Sequence, residues 1–179
     1  MKADEPKAFT VTSHGGLLRE IMTPVKASIA SELSSIFNVP TSVVDVMALW
    51  DTGATSTSIS KRLASKLSLP PLSRQKILCA GQPYESCIYK IDLYLPNMVV
   101  FRNVTVTEFE DSNRFDVLVG MDIITAGDFS VTNANGLTVC SFRLPPSGEH
   151  VDYVKEIGQK MANRVALKHF KKDQKKHRK

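Results

Sequence analysis

The chain has 179 residues, of which 42% are hydrophobic and 23% charged, the balance of one soluble globular domain with room for an appendage. Its net charge of +5 is unevenly held: residues 147–179 carry ten Lys+Arg against four Asp+Glu, and residues 1–146 carry thirteen against fourteen. A near-neutral body with a basic tail excludes a protein that coats nucleic acid over its whole surface.

In chain order, Ala8 to Thr12 offers a short strand within a polar N-terminal stretch. From Ile21 the pattern has a period of two, with Val25, Ala27 and Ile29 alternating with Lys26, Ser28 and Ala30. Glu32 to Thr41 reads as a polar loop containing Pro40, and Ser42 to Trp50 as a buried, β-branched strand. After the turn Asp51-Thr52-Gly53-Ala54, Ser58 is placed to cap a short helix whose Ile59, Leu63 and Leu67 share one face. Pro70-Pro71 stops it. Gln75 to Leu95 reads as two strands around Ala80-Gly81-Gln82-Pro83, and Val99 to Val106 as another. Phe115 to Val119 is a short buried strand, followed by a helical stretch from Gly120 to Ala126 with Gly127 as its stop. Phe129 to Thr132 and Leu137 to Phe142 flank Asn133-Ala134-Asn135-Gly136, whose Asn-Gly predicts a hairpin. Val151 to Phe170 is helix-like, with Val154, Ile157, Met161 and Val165 at three- and four-residue steps. The reading is an all-β, barrel-like body with two short helices and a basic C-terminal helix.

The cysteines Cys79, Cys87 and Cys140 have no CxxC spacing, and the four histidines show neither HExxH nor His-x-His spacing. No disulfide framework, metal site or other cofactor is expected. The N-terminus lacks the apolar run of a signal peptide, and the apolar stretches are too short to span a bilayer. A cytoplasmic protein with no membrane partner is expected, and a stand-alone enzyme beginning at Met1 rather than a piece of a polyprotein.

One stretch carries chemistry: Ala48-Leu49-Trp50-Asp51-Thr52-Gly53-Ala54-Thr55. An Asp directly after an apolar strand sits on a rigid support where the chain emerges. Gly53 permits tight turning and close approach of another chain, and the Thr52 hydroxyl can lock the turn to nearby backbone. The same tripeptide can equally be a simple Asx-type turn between strand and helix. The second half then supplies Phe115-Asp116-Val117-Leu118-Val119-Gly120-Met121-Asp122-Ile123-Ile124, an apolar strand, a glycine and a helix.

With these two stretches in this order, the chain resembles the retroviral-type, retropepsin-like aspartic proteases, from about Thr23 to Pro146. The resemblance implies a closed-barrel acid protease subunit with a flap hairpin. It divides the chain into an N-terminal extension (1–20), a protease domain (21–146) and a basic helical tail (147–179). It implies Asp51 as the catalytic residue, Thr52, Gly53 and Ala54 as the active-site loop, and Ala80, Gly81, Gln82 and Pro83 as the flap tip over a polypeptide substrate. Tyr84 beside the tip is placed either to cover the substrate or to pack across the hairpin. The family's frequent acid after the Ala and arginine after the later Gly are replaced here by Thr55 and Met121, and the role of Asp122 is left open.

Aspartic proteolysis needs two carboxylates about one water, sharing one proton because both cannot ionise cheaply. The chain has a single Asp-Thr-Gly, so a homodimer giving one Asp51 per subunit is expected. Ala54 cannot hydrogen-bond the carboxylate as a Ser would, so activity is expected nearer neutral pH. Lys168 to Lys179 is nearly all basic, with Asp173 the one acid, and reads either as a solvated end or as an arm for nucleic acid or an acidic partner. Two other readings stay open: a catalytically silent dimer that binds a polypeptide, and a nucleic-acid-associated protein acting through its tail.

Overall fold

The computed structural model describes residues 5–79 and 82–176. The chain divides into two compact units, Met1–Ser147 and Gly148–Lys179.

The first unit is mostly β. Its strands are β1 (Lys7–Thr12), β2 (Ile21–Ile29), β3 (Val44–Trp50), β4 (Ser58–Ser60), β5 (Ser73–Cys79), β6 (Gln82–Tyr94), β7 (Val100–Phe109), β8 (Val117–Val119), β9 (Asp128–Ala134) and β10 (Leu137–Leu144). Three short helices interrupt them: α1 (Ser31–Phe37), α2 (Lys61–Lys66) and α3 (Met121–Ile124). Strands β2, β3, β8, β4, β7 and β6 pair in that order, and β6 pairs back onto β2, so six strands close a barrel. In β2 Val25, Ala27 and Ile29 are buried in the core and Lys26 is exposed, but Ser28 and the following Ala30 are buried too, so the expected alternation stops at Lys26. Ile59, Leu63 and Leu67 are buried together with Ile91, Leu93, Val106, Val117 and Val119, which fill the barrel.

A second sheet orders β1, β10 and β9. Strand β1 lies in the stretch read as an N-terminal extension, and it pairs with β10 over its whole length, from Lys7 opposite Leu144 to Thr12 opposite Val139. The β9–β10 hairpin turns at Asn135 and Gly136, both with positive φ (52° and 75°), the turn that Asn-Gly favours. Aromatic rings join this sheet to the barrel. Trp50 stacks on Phe129 at 5.4 Å and packs at a tilt against Phe142 (5.1 Å) and Phe9 (5.7 Å).

Two further expectations change. The loop expected over 32–41 overlaps α1, so the described residues hold three short helices before the tail, not two. None of its residues is fully buried: of Leu33, Ile36 and Phe37, spaced i, i+3 and i+4, Leu33 packs partly buried against the core and the other two are exposed; Asn38 closes it in the left-handed region at φ 52°. The cap of α2 is Ser60, not Ser58. The Ser60 Oγ accepts the Leu63 N–H at 3.0 Å, while Ser58 and Ile59 are spent on β4.

The second unit contains one helix, α4 (Tyr153–Lys176). Its Val154, Ile157, Met161 and Val165 are all exposed. Among the described residues no helix is long and apolar enough to cross a membrane.

Candidate active site

Asp51 stands at the end of β3, and its position follows from the strand order. Strands β3 and β4 are joined by residues 51–57 but do not pair with each other. Strand β8 lies between them, parallel to β3 (Ala48 opposite Val117, Trp50 opposite Val119) and antiparallel to β4 (Ile59 opposite Val117). The connecting loop must therefore arch over the end of β8, and Asp51 begins that arch.

Successive bonds stitch the loop to the β8–α3 junction. The Asp51 N–H donates to the Val119 carbonyl at 3.0 Å, the Met121 N–H to the Ala54 carbonyl at 2.9 Å, and the Asp122 N–H to the Thr55 carbonyl at 3.3 Å. Within the loop the Ala54 N–H donates to the Asp51 carbonyl at 3.2 Å. The Gly53 N–H donates to Asp51 Oδ1 at 2.8 Å. That last contact is the Asx-type turn expected of the local sequence, and it also fixes the direction of the carboxylate. Among the described residues the carboxylate makes no other hydrogen bond. Asp51 and Ala54 are half-buried, and Thr52 and Gly53 are exposed.

The residue before Asp51 is tied into the core. Trp50 is buried in the aromatic cluster, and its indole N–H donates to the buried Thr23 Oγ1 at 2.9 Å. Neither Trp50 nor Thr23 was predicted as part of the site, because the pairing spans β2 and β3 and leaves no local motif.

The other two acids near the motif are engaged elsewhere. Asp116 Oδ1 accepts from Ser60 Oγ at 2.6 Å and from the Arg62 guanidinium at 2.6 and 3.0 Å, tying α2 to the start of β8. The Asp122 carboxylate accepts from both the backbone and the hydroxyl of Thr57. Its role, open from sequence, is therefore to hold the far end of the 51–57 loop. The backbones of Thr55 and Met121 bond at this junction, and the Met121 side chain packs partly buried against the core.

The flap hairpin is β5–β6, with Cys79 opposite Gln82, Leu78 opposite Pro83 and Ile77 opposite Tyr84. Of the expected tip, Ala80 and Gly81 lie outside the described residues. Gln82 and Pro83 belong to strand β6, so they extend the hairpin instead of forming its turn. The side chain of Tyr84 also lies outside the described residues. Lower in the hairpin Tyr89 is buried and donates to Glu108 Oε2 at 2.9 Å; burial and then that bond push its phenol well above its ordinary range. Tyr89 thus acts as a neutral donor that pins β6 to β7. No group of three or more potential metal ligands occurs among the described residues.

Residues 38–123, which contain both the Asp51 loop and the Gly120–Ile123 junction, match the family model described as aspartyl protease. The matched segment is thus aspartyl protease-like. The chain is similar to two solved structures, among others. One is a retropepsin-like aspartic protease from Rickettsia conorii, 14% identical, covering 77% of this chain and 94% of that one with a TM-score of 0.46. The other is the retroviral protease-like domain of Ddi1 from Leishmania major, 19% identical, covering 66% of this chain and 91% of that one with a TM-score of 0.36. No curated protein matches the chain.

Proposed function

We propose that this protein is an aspartic endopeptidase that works as a homodimer, each chain giving Asp51 to a shared pair of carboxylates. The observation that carries the reading is the setting of Asp51: the end of a buried strand, an arch bonded to the β8–α3 junction, and one oxygen held by the Gly53 N–H at 2.8 Å. In the pair, one ionised carboxylate draws a proton from water while the other, protonated, donates to the scissile carbonyl oxygen. The attacking water oxygen then bonds to the carbonyl carbon. Collapse of that adduct returns a proton to the leaving amine.

A second chain is required because Asp116 and Asp122 already serve Arg62, Ser60 and Thr57, and neither is followed by Thr/Ser-Gly. An extended polypeptide would lie between Gly53 below and the flap residues Ala80 to Pro83 above, adding strand-like hydrogen bonds.

The test compares wild type with Asp51→Asn on a mixed peptide library across pH, with the mass of each measured by sedimentation. Both should be dimers, and only wild type should cleave. Ala54→Ser should move the pH optimum to the acid side of wild type, because the added hydroxyl favours the ionised carboxylate. Equal, absent cleavage with retained peptide binding would instead make the dimer a polypeptide-binding module.

A further inference from the structure

We propose that Thr57 and Asp122 form a clip that positions the Asp51 loop for turnover, an inference that rests on the catalytic reading above. Both are positioning residues, since neither touches the reacting atoms. The Thr57 N–H lies 3.0 Å from each oxygen of the Asp122 carboxylate, and the Thr57 hydroxyl donates to Oδ1 at 2.7 Å. The Ile123 N–H also reaches Oδ1, at 3.0 Å. The Thr57 Oγ1 in turn accepts the Gly120 N–H at 3.2 Å. One hydroxyl therefore works as donor and acceptor, and the carboxylate charge is met by N–H and O–H dipoles.

The place of the clip gives it a function. The 51–57 loop is anchored at its near end by the Asp51–Val119 bond and at its far end by Thr57. Gly120 lets the far end approach more closely than any other residue could, with an added Cβ falling 2.5 Å from the Ser56 carbonyl carbon. That approach must be held, and the Thr57 side chain, fully buried, holds it. The same small junction bonds the backbone of Ala54 and Thr55, so its displacement is passed back toward Asp51. Displacements on the order of 1 Å in a catalytic group reduce rates by about a hundredfold.

The experiment measures kcat and KM for Thr57→Val, Thr57→Ser, Asp122→Ala and Asp122→Asn, each well below its own Tm. The Asp51 carboxyl carbon is followed by 13C NMR in the same proteins. Thr57→Val, isosteric but without the hydroxyl, should lose about ten- to a hundredfold in kcat with KM within about threefold, and should move the Asp51 resonance. Asp122→Ala should do the same. Thr57→Ser and Asp122→Asn, which keep a hydroxyl or an acceptor oxygen, should stay within about threefold of wild type. Adding Thr57→Val to Asp122→Ala should cost little more than Asp122→Ala alone, because one clip is lost only once. A folded Thr57→Val with wild-type kcat and an unmoved Asp51 resonance overturns the clip. A lowered Tm with unchanged kcat also overturns it, in favour of a purely structural contact. If no Asp51-dependent cleavage is found but the resonance moves in Thr57→Val and not in Thr57→Ser, the catalytic reading fails and the clip stands as a positioning contact.

Discussion

Gly120 is the tightest backbone position of the site. A Cβ there would lie 2.5 Å from the Ser56 carbonyl carbon, 2.7 Å from its oxygen and 2.9 Å from the Thr57 nitrogen. All three are backbone atoms, so no side chain can swing aside, and Gly120→Ala must part the loop from the β8–α3 junction. The expected cost is about 3 kcal/mol of stability, read from denaturant midpoints, together with loss of any Asp51-dependent cleavage. A variant within about 0.5 kcal/mol of wild type would show that the junction yields easily. The contrast with Gly53 is one of degree, since its added Cβ would meet Asp51 Oδ1 at 3.1 Å. At this scale the sequence was legible where chemistry is local. Asp51 to Ala54 is a contiguous pattern, and Gly120 ends an apolar strand. Thr57 and Trp50 were not legible as site residues, because Asp122 and Thr23 are remote from them in the chain and only the strand order brings each pair together.

Among the elements, α1 shows how polar contacts can add to a slight apolar contact, that of Leu33 with the core, in holding a helix. Its first residue, Ser31, donates to Asp92 Oδ2 at 2.6 Å, and Asp92 on β6 is wholly buried. The same carboxylate accepts from the Arg102 guanidinium at 3.1 Å and from the Asn103 N–H at 3.0 Å. Asn103 itself sits at φ 56° and donates to Glu32 Oε1 at 2.8 Å. The β6–β7 register shifts between Ile91 and Leu93, on either side of Asp92, so a local irregularity in the barrel and the seating of α1 share one acid. Strand β2 was readable from apolar alternation and β3 and β8 as apolar runs, whereas β4 was read as part of α2. Helix α1 was not readable, since Leu33, Ile36 and Phe37 make too short an apolar stripe within a polar segment to be read as a helix. Asp92→Ala should therefore cost about 2 kcal/mol, chiefly from the N–H and hydroxyl donors it leaves without an acceptor. The exposed Arg102 adds little, because its charge remains solvated. Hydrogen exchange should localise the effect, with faster exchange at the α1 amides of Leu33 and Ser34. A uniform change across the barrel without selective loss at α1 would contradict this assignment.

For the whole molecule, the decisive asymmetry is that the body carries a net charge near zero while residues 147–179 carry +6. Among the described residues the buried core of the barrel is drawn from the first unit, so its folding does not call on α4. The catalytic reading likewise uses no residue beyond the body. Removal of residues 148–179 should then leave the β-rich circular dichroism spectrum, the proposed dimer and any kcat/KM for an uncharged peptide within about twofold of the full chain. Retention on an anionic polymer should follow the tail instead. The full chain should bind at low salt and elute steeply as salt rises, because each neutralised anionic group releases a counterion. The truncated body should pass through. If truncation instead abolishes the dimer, the apolar residues Val154, Ile157, Met161 and Val165 belong to subunit assembly, and the +6 charge is carried by a structural element. If both proteins bind the polymer alike, the charge asymmetry has no bearing on partners, since a body of net −1 would then supply the affinity through a local basic patch.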